Sequence, residues 1–304
     1  MSIEVINYGR LVWVNCIAPT SEDMAYLRER FGFHPLDLED CLSTIERPKI
    51  DEYDDYMFIV MHFPRYHSAR KVTRPSEVDF FIGPNFFVTV HDGALKPMQR
   101  IWQACRESSE ERQYWMGKGA GRLLYNILDR MVDYVFPMLN KIGGKISRIE
   151  ENMFTQDMPD ILQEISLLRR DIIALRRVMR PQLSILHNLE RKERPYLQED
   201  LDVYFGDVAD AFARAGDIAD EYHEVIEGLS ATADSVTSYR INEIMRILTV
   251  ISVIMLPLTL ISGIYGMNID LPLDEHPYSF FYVMALMLLV SISMLIYFRH
   301  RRWL

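Results

Sequence analysis

Two uncharged apolar runs near the C-terminus constrain this chain more than anything else in it. Ile247 to Met267 holds no charged side chain over 21 positions, and Phe280 to Phe298 none over 19. As helices, such runs are long enough to cross the roughly 30 Å hydrocarbon core of a bilayer. One run of this kind also fits the core helix of a globular protein; two in tandem fit a pair of membrane spans. The link between them, residues 268–279, carries Asp270, Asp274 and Glu275 and no Lys or Arg. Arg299, Arg301 and Arg302 follow the second run, and Arg240 and Arg246 flank the start of the first. An excess of Lys and Arg marks the cytoplasmic side. Both termini are therefore expected in the cytoplasm, the acidic link outside, and the chain in the cell's inner (plasma) membrane. Tyr297 and Trp303 stand where aromatic rings favour the interface.

The formal charge is −10, and its placement is uneven. From Ile241 onward, Arg246, Arg299, Arg301 and Arg302 balance Glu243, Asp270, Asp274 and Glu275, so the whole deficit lies in the preceding residues. An acidic body argues against nucleic acid as a partner and suits cations. Cys16, Cys41 and Cys105 form no CxxC pair, so neither a disulfide framework nor a zinc knuckle is indicated. The opening "MSIEVINYGR" has no basic segment leading into an apolar one, hence no expected signal peptide.

Residues 1–120 read as a cytoplasmic α/β domain. "EVINYGRLVWVNC", "YMFIVMHF", "VDFFIG" and "NFFVTVHD" are rich in β-branched and aromatic residues bounded by Gly, Pro, Asn and Asp, which predicts strands. "SEDMAYLRERFG" predicts a helix opening on a Ser cap and closing at Gly32, and "HPLDLEDCL" has Pro at a helix-starting position. From about Arg122 the text is helical, with breaks expected near Pro159, Pro181 and Pro195. The expected parts are a helical hairpin over 121–195, a stalk helix over 196–246, spans at 247–267 and 280–298 joined by the external loop 268–279, and a basic tail over 299–304.

The stalk carries a heptad pattern. Leu197, Leu201, Tyr204, Val208, Ala211, Ala215, Ile218, Tyr222, Val225 and Leu229 alternate steps of four and three. Such a seam packs either on its own domain or in an oligomer, and a helix that continues into a membrane favours the oligomer. Two spans enclose no aqueous path alone, so any pore needs several copies. Stepping back from Asn268 at helical spacing gives Gly266, Gly263, Thr259, Leu256, Ser252, Thr249, Met245 and Asn242, while Ile247, Val250, Ile251, Ile254 and Leu258 fill the other faces. A small and polar stripe in lipid serves helix packing or lines water, and both readings stand. Pro257, in mid-span, leaves a carbonyl without its usual partner.

Other motifs carry less. "GKGAGR" at 117–122 lacks the strand before it and the Lys-Ser/Thr ending of a phosphate loop. His62 and His67 have no helical metal spacing, "YHEVIEG" lacks the second His of a zincin, "DEYDDY" reads as a solvated turn, and no nucleophile stands beside a base. An enzyme is not indicated. The rival from another class is a two-span membrane sensor with a coiled-coil stalk.

"NEIMRILTVISVIMLPLTLISGIYGMN", followed by a second span ending "YFRHRRWL", resembles the CorA magnesium and cobalt channel family, as do "FGFHPLDLEDCL", "ERPKI", "YNILDRMVDYVF" and "YFGDVADAF". The resemblance implies a funnel-shaped homopentamer: an α/β N-terminal cytoplasmic domain, a long α-helical stalk and two C-terminal transmembrane helices, the first lining the axis. It implies a selectivity filter at Gly266, Met267 and Asn268 that accepts a hydrated divalent cation. Thr259 and Ser252 are then polar pore positions, Leu256, Leu248 and Met245 the hydrophobic constriction, and Asn242 its inner end. Asp40 and Asp207, with Glu39 and Asp129 near them, match cytoplasmic sites for regulatory Mg²⁺ between subunits. Arg299, Arg301 and Arg302 form a basic ring near the inner membrane face, and Asp270, Asp274 and Glu275 an acidic mouth. The cargo so implied is Mg²⁺, with Co²⁺ and Ni²⁺. The stretch after Asn268, "IDLPLDE", departs from the aromatic, acid and Met-Pro-Glu-Leu that often follow in the family, so a ZntB-like Zn²⁺ transporter is the alternative within the superfamily.

Overall fold

A computed structural model describes residues 2–43, 45–67, 72–191, 194, 201–267 and 277–303. The chain divides into two compact units, Met1–Ser230 and Ala231–Leu304.

The first unit is built on a six-stranded sheet of β1 (Ile3–Tyr8), β2 (Leu11–Ile17), β3 (Lys49–Glu52), β4 (Met57–His67), β5 (Val72–Ile82) and β6 (Phe86–His91), in the order β1-β2-β6-β5-β4-β3. Only β2 and β6 pair in parallel. The inner strands are apolar on successive residues because helices cover both faces. Phe58 and Val60 join Val14, Phe81 and Val88 in a core capped by Met24 and Leu27 of α1 (Ser21–Phe31) and Leu38 of α2 (Pro35–Asp40). Against the other face lie α3 (Lys96–Glu107), where Trp102 meets Trp13 edge-on at 4.9 Å, and the long helix α6 (Met158–Arg191), with a second long helix, α5 (Ala120–Asn152), packed on α3 and α6. Between α3 and α5 runs the short α4 (Ser109–Met116).

Three expectations about these elements are corrected. "EVINYGRLVWVNC" is a hairpin, turned at Gly9, whose φ of 57° is easiest for glycine. The cap of α1 is Thr20, one residue before the expected Ser. Its hydroxyl accepts from the Asp23 N–H at 3.3 Å while the Asp23 carboxylate accepts from the Thr20 N–H at 3.0 Å. No break falls at Pro181, which lies inside α6. The short edge strand β3 went unrecognised because "KIDE" alternates too briefly to stand out. Gly32 closes α1 in the left-handed conformation, as expected.

Asp23 is buried and also accepts from the Ser2 hydroxyl at 2.6 Å and the Ser2 N–H at 3.1 Å. Burial alone raises its pKa, but the hydrogen bonds from Ser2 and Thr20 outweigh this and hold it at about 2. Because that lies below the unfolded value of ~3.9, the stabilisation is complete above about pH 4 and disappears as pH falls toward 2. Asp23→Asn is expected to cost about 1–2 kcal/mol at pH 7 in thermal or denaturant unfolding. The gap from wild type should narrow sharply at pH 3; an equal gap at both pH values rules out the charged form as its source.

The long helix α7 runs Asp202–Tyr265. In the first unit its buried residues are Leu201 just before it, then Phe205, Val208, Ala209, Phe212, Ala215, Ala219 and Ile226. The heptad is real, but its phase differs from the expected one: Leu201, Val208 and Ala215 are shared, whereas Phe205, Phe212, Ala219 and Ile226 replace Tyr204, Ala211, Ile218 and Val225. The buried side of the helix packs on its own chain, and Tyr204, Ala211, Ile218 and Val225 stay at least partly exposed. Phe212 meets Phe63 of β4 at 6.3 Å, Asp220 pairs with Arg176 and Arg180 of α6, and Arg169 of α6 reaches Glu227 at 2.7 Å. Tyr204 remains at the rim, its ring 4.0 Å below the Arg122 guanidinium. A tyrosine keeps its hydroxyl in water there, while the neighbouring phenylalanine has no polar atom to strand and turns inward.

The second unit holds the rest of α7 and α8 (Ser279–His300), the two helices long and apolar enough to cross a membrane. On α7, Val250, Ile254, Pro257, Leu258 and Ile261 lose exposure; on α8, Val283, Met287, Val290, Met294 and Phe298 do so. Each set forms one stripe at the spacing of packed helices.

Candidate functional site

Most of the α7 span is exposed, Ile247 and Ile251 included, and one exposed face carries the residues expected to line a path. Ser252, Met255, Leu256, Thr259, Leu260, Gly263, Ile264 and Met267 border a shallow groove of about 740 Å³. Below it, Leu248, Met245 and Asn242 are also exposed. The hydroxyls are already committed: Thr259 Oγ1 donates to the Met255 carbonyl at 2.8 Å, Ser252 Oγ to Leu248 at 2.8 Å, and Thr249 Oγ1 to Met245 at 2.7 Å. A hydroxyl that has given its one hydrogen to the i−4 carbonyl has only lone pairs left to offer. Each hydroxyl therefore acts as an acceptor, suited to the outward-pointing hydrogens of a hydrated cation's water shell. Pro257 sits on the partly covered stripe, and its missing N–H leaves the Val253 carbonyl without its usual helical donor.

Gly266 ends the helix, its N–H donating to the Ser262 carbonyl at 2.9 Å. A Cβ there would stand 3.0 Å from that same oxygen, a contact that would need the backbone to give, and glycine avoids it. Asn268, Asp270, Asp274 and Glu275 lie outside the described residues. At the other end, α8 closes in a Schellman motif: Arg302 adopts φ 57°, its N–H donates to the Arg299 carbonyl at 3.1 Å, and the Trp303 N–H donates to Phe298 at 3.0 Å. Trp303 stacks on Phe298 at 5.8 Å, and the Arg301 guanidinium lies 5.9 Å from the Tyr297 ring. The basic cluster is thus folded back on aromatic residues at the end of the span.

The four carboxylates expected to hold regulatory Mg²⁺ are split between two places in the first unit. Asp129 on α5 and Asp207 on α7 form one. Burial, then Asp133, then Asp207 raise the Asp129 pKa, and Arg130 offsets them only in part. Glu39 and Asp40, at the end of α2, form the other, and Asp40 is ion-paired to Lys49 at 2.7 Å. Among the described residues no three His, Cys, Asp or Glu side chains gather closely enough to hold a metal ion. The oxygen donors suit Mg²⁺, which prefers hard ligands and keeps much of its water. Sequence reasoning passes over Lys49: it lies nine positions after Asp40, and only the return of the chain into β3 brings the pair together.

The fold and the spans define the class first: an integral membrane protein with a large α/β domain outside two C-terminal transmembrane helices. The sequence pattern of the family described as CorA-like Mg²⁺ transporter protein matches residues 8–301. The chain belongs to that family, and is accordingly a divalent-cation transporter rather than an enzyme. It is 33% identical over 292 residues to the putative metal ion transporter YfjQ of Bacillus subtilis, covering 96% of this chain and 89% of the relative. It is 30% identical over 298 residues to the cobalt/magnesium transport protein CorA of Thermotoga maritima, covering 96% and 83%. The zinc transport protein ZntB of Pectobacterium carotovorum is 22% identical over 260 residues, covering 85% and 77%. Among solved structures, the complete CorA magnesium transporter of Methanocaldococcus jannaschii superposes with a TM-score of 0.86 at 25% identity, covering 98% of this chain and 94% of that one.

Proposed function

We propose that this protein is a homopentameric Mg²⁺ channel of the inner (plasma) membrane, also passing Co²⁺ and Ni²⁺, with both termini in the cytoplasm. The observation that carries the reading is the open face of the first span, where Ser252, Thr259 and Gly263 share a groove with Leu256 and turn no hydroxyl hydrogen toward it. Five such faces around an axis give stacked rings of acceptors and of apolar side chains. Gly266, Met267 and Asn268 form the outer ring, which accepts hydrogen bonds from a hydrated ion without stripping its shell. Leu256, Leu248 and Met245 form the constriction, which wets or dries as the helices move apart or together. Asp270, Asp274 and Glu275 concentrate cations at the mouth, and Arg299, Arg301 and Arg302 anchor the tail at the inner face.

Closure is assigned to internal Mg²⁺. Asp40 and Glu39 of one subunit would meet Asp207 and Asp129 of the next, and a divalent cation between them turns repulsion into a bridge. The cargo closes its own path. In liposomes loaded with a Mg²⁺ dye, wild-type flux is expected to fall as internal Mg²⁺ rises, and Asp40→Ala with Asp207→Ala to abolish that inhibition. Inhibition unchanged in the double variant sinks the regulatory assignment, and absence of flux from folded wild-type protein under a gradient leaves the two-span sensor. Zn²⁺ is the alternative cargo, favoured by the likeness to ZntB and the unusual "IDLPLDE" stretch. Zn²⁺ outcompeting Mg²⁺ in the same assay identifies it.

A further inference from the structure

The Asp40 carboxylate already holds a cation, and that cation belongs to the chain. The Lys49 ammonium lies 2.7 Å from Oδ2 of Asp40 and 2.6 Å from Oδ2 of Asp51, with the Phe58 ring centroid 5.4 Å away. Burial by itself lowers a lysine pKa, yet the hydrogen bonds to Asp40 and Asp51 outweigh it and hold Lys49 above its ordinary value. Two more carboxyls feel the same charge. Asp37 is buried beneath the Tyr53 and Tyr56 hydroxyls, which donate to it at 3.1 and 3.3 Å, and Asp79 is buried on β5. In both, burial raises the pKa and Lys49 counters it. The ammonium therefore pairs with two carboxylates and acts at longer range on two buried ones.

We propose that Lys49 is a built-in competitor of Mg²⁺ at Asp40: the divalent cation engages this carboxylate only by displacing the ammonium, and the exchange sets the Mg²⁺ concentration at which the protein closes. The inference rests on Asp40 as a regulatory ligand. Displacement is feasible because the Lys49 side chain is about one-third exposed and sits on a flexible stem, while its backbone stays paired to Val60 in the sheet. An ion pair this accessible is weak enough for an ion of twice the charge to replace it. Strength enough to matter remains, because Asp40 must give up its partner each time.

The test uses the full chain in nanodiscs, with Mg²⁺ titrated against protection from limited proteolysis, and in liposomes against flux. Lys49→Met is expected to half-saturate at about two- to fivefold lower Mg²⁺ than wild type by both readouts. Lys49→Arg should stay near wild type, and Lys49→Met in an Asp40→Asn background should produce no shift. Should Lys49→Met fail to fold, Lys49→Gln is read by the same criteria. Asp40→Asn weakening Mg²⁺ protection while Lys49→Met leaves it unchanged or weaker overturns the competitor alone. Asp40→Asn leaving Mg²⁺ protection untouched overturns the regulatory reading and this inference together.

Discussion

Asn268→Ala is expected to cut Mg²⁺ flux into liposomes by more than about tenfold while leaving the thermal stability of the first unit unchanged. The outer ring in the proposed pore works by accepting hydrogen bonds from water that the ion has polarised, and such charge-assisted bonds are worth about 1.5–3 kcal/mol each. Alanine accepts none. Loss of even one bond in the loaded state amounts to roughly a tenfold change in occupancy, and the substitution in a homopentamer removes five amides at once. The effect should appear equally for Co²⁺, since both ions would be met by the same oxygens. Flux within twofold of wild type from correctly assembled protein would falsify the assignment of Asn268 to the filter.

Phe33→Ala is expected to be the most damaging change in the first unit. Phe33 is buried and stacks on Phe81 of β5 at 4.1 Å and on Phe31 at 5.2 Å, with Tyr56 and Phe86 tilted against it at 5.1 and 5.6 Å. It follows Gly32, whose left-handed turn ends α1 and swings the next ring onto the sheet. Removing that ring deletes contacts on several sides and leaves a cavity bounded by a strand that does not collapse easily. The cost should be about 3–5 kcal/mol in denaturant unfolding, and the thermal midpoint should fall by roughly 10 °C. Phe33→Leu, which keeps most of the volume, should recover more than half; equal losses for both variants would mean that the stacked geometry, and not the filled volume, holds the site together.

Much of the candidate site was legible as text, for reasons particular to each residue. The open stripe on α7 could be read because Ser, Thr and Gly are scarce in an apolar span and fall at helical spacing, and the structure leaves Ser252, Thr259 and Gly263 on one groove. Gly32 could be read as a helix end because a left-handed cap favours glycine. The hydroxyl back-bonds that make Ser252 and Thr259 acceptors had no signature, since they depend on rotamers. Likewise, "ERPKI" resembles the family as a string, but no spacing rule links Lys49 to Asp40.

By itself, the sequence determined the local and the one-dimensional: two runs of apolar residues long enough to span a bilayer, the sign of the charges flanking them, the strand-rich text ahead of long helices, and the heptad of α7. These are properties of neighbours along the chain, and the hydrophobic effect acts on them wherever the chain goes. Only the tertiary structure decided which side of that heptad is buried, because adjacent residues on a helix differ by about 100° and either Tyr204 or Phe205 satisfies the count. The partner broke the tie: Arg122 over Tyr204 at the rim and Phe63 beside Phe212 within. The same holds for Pro181, carried inside α6 by a helix whose apolar face packs on β4 and β5, and for Lys49, placed beside Asp40 by an edge strand too short to announce itself.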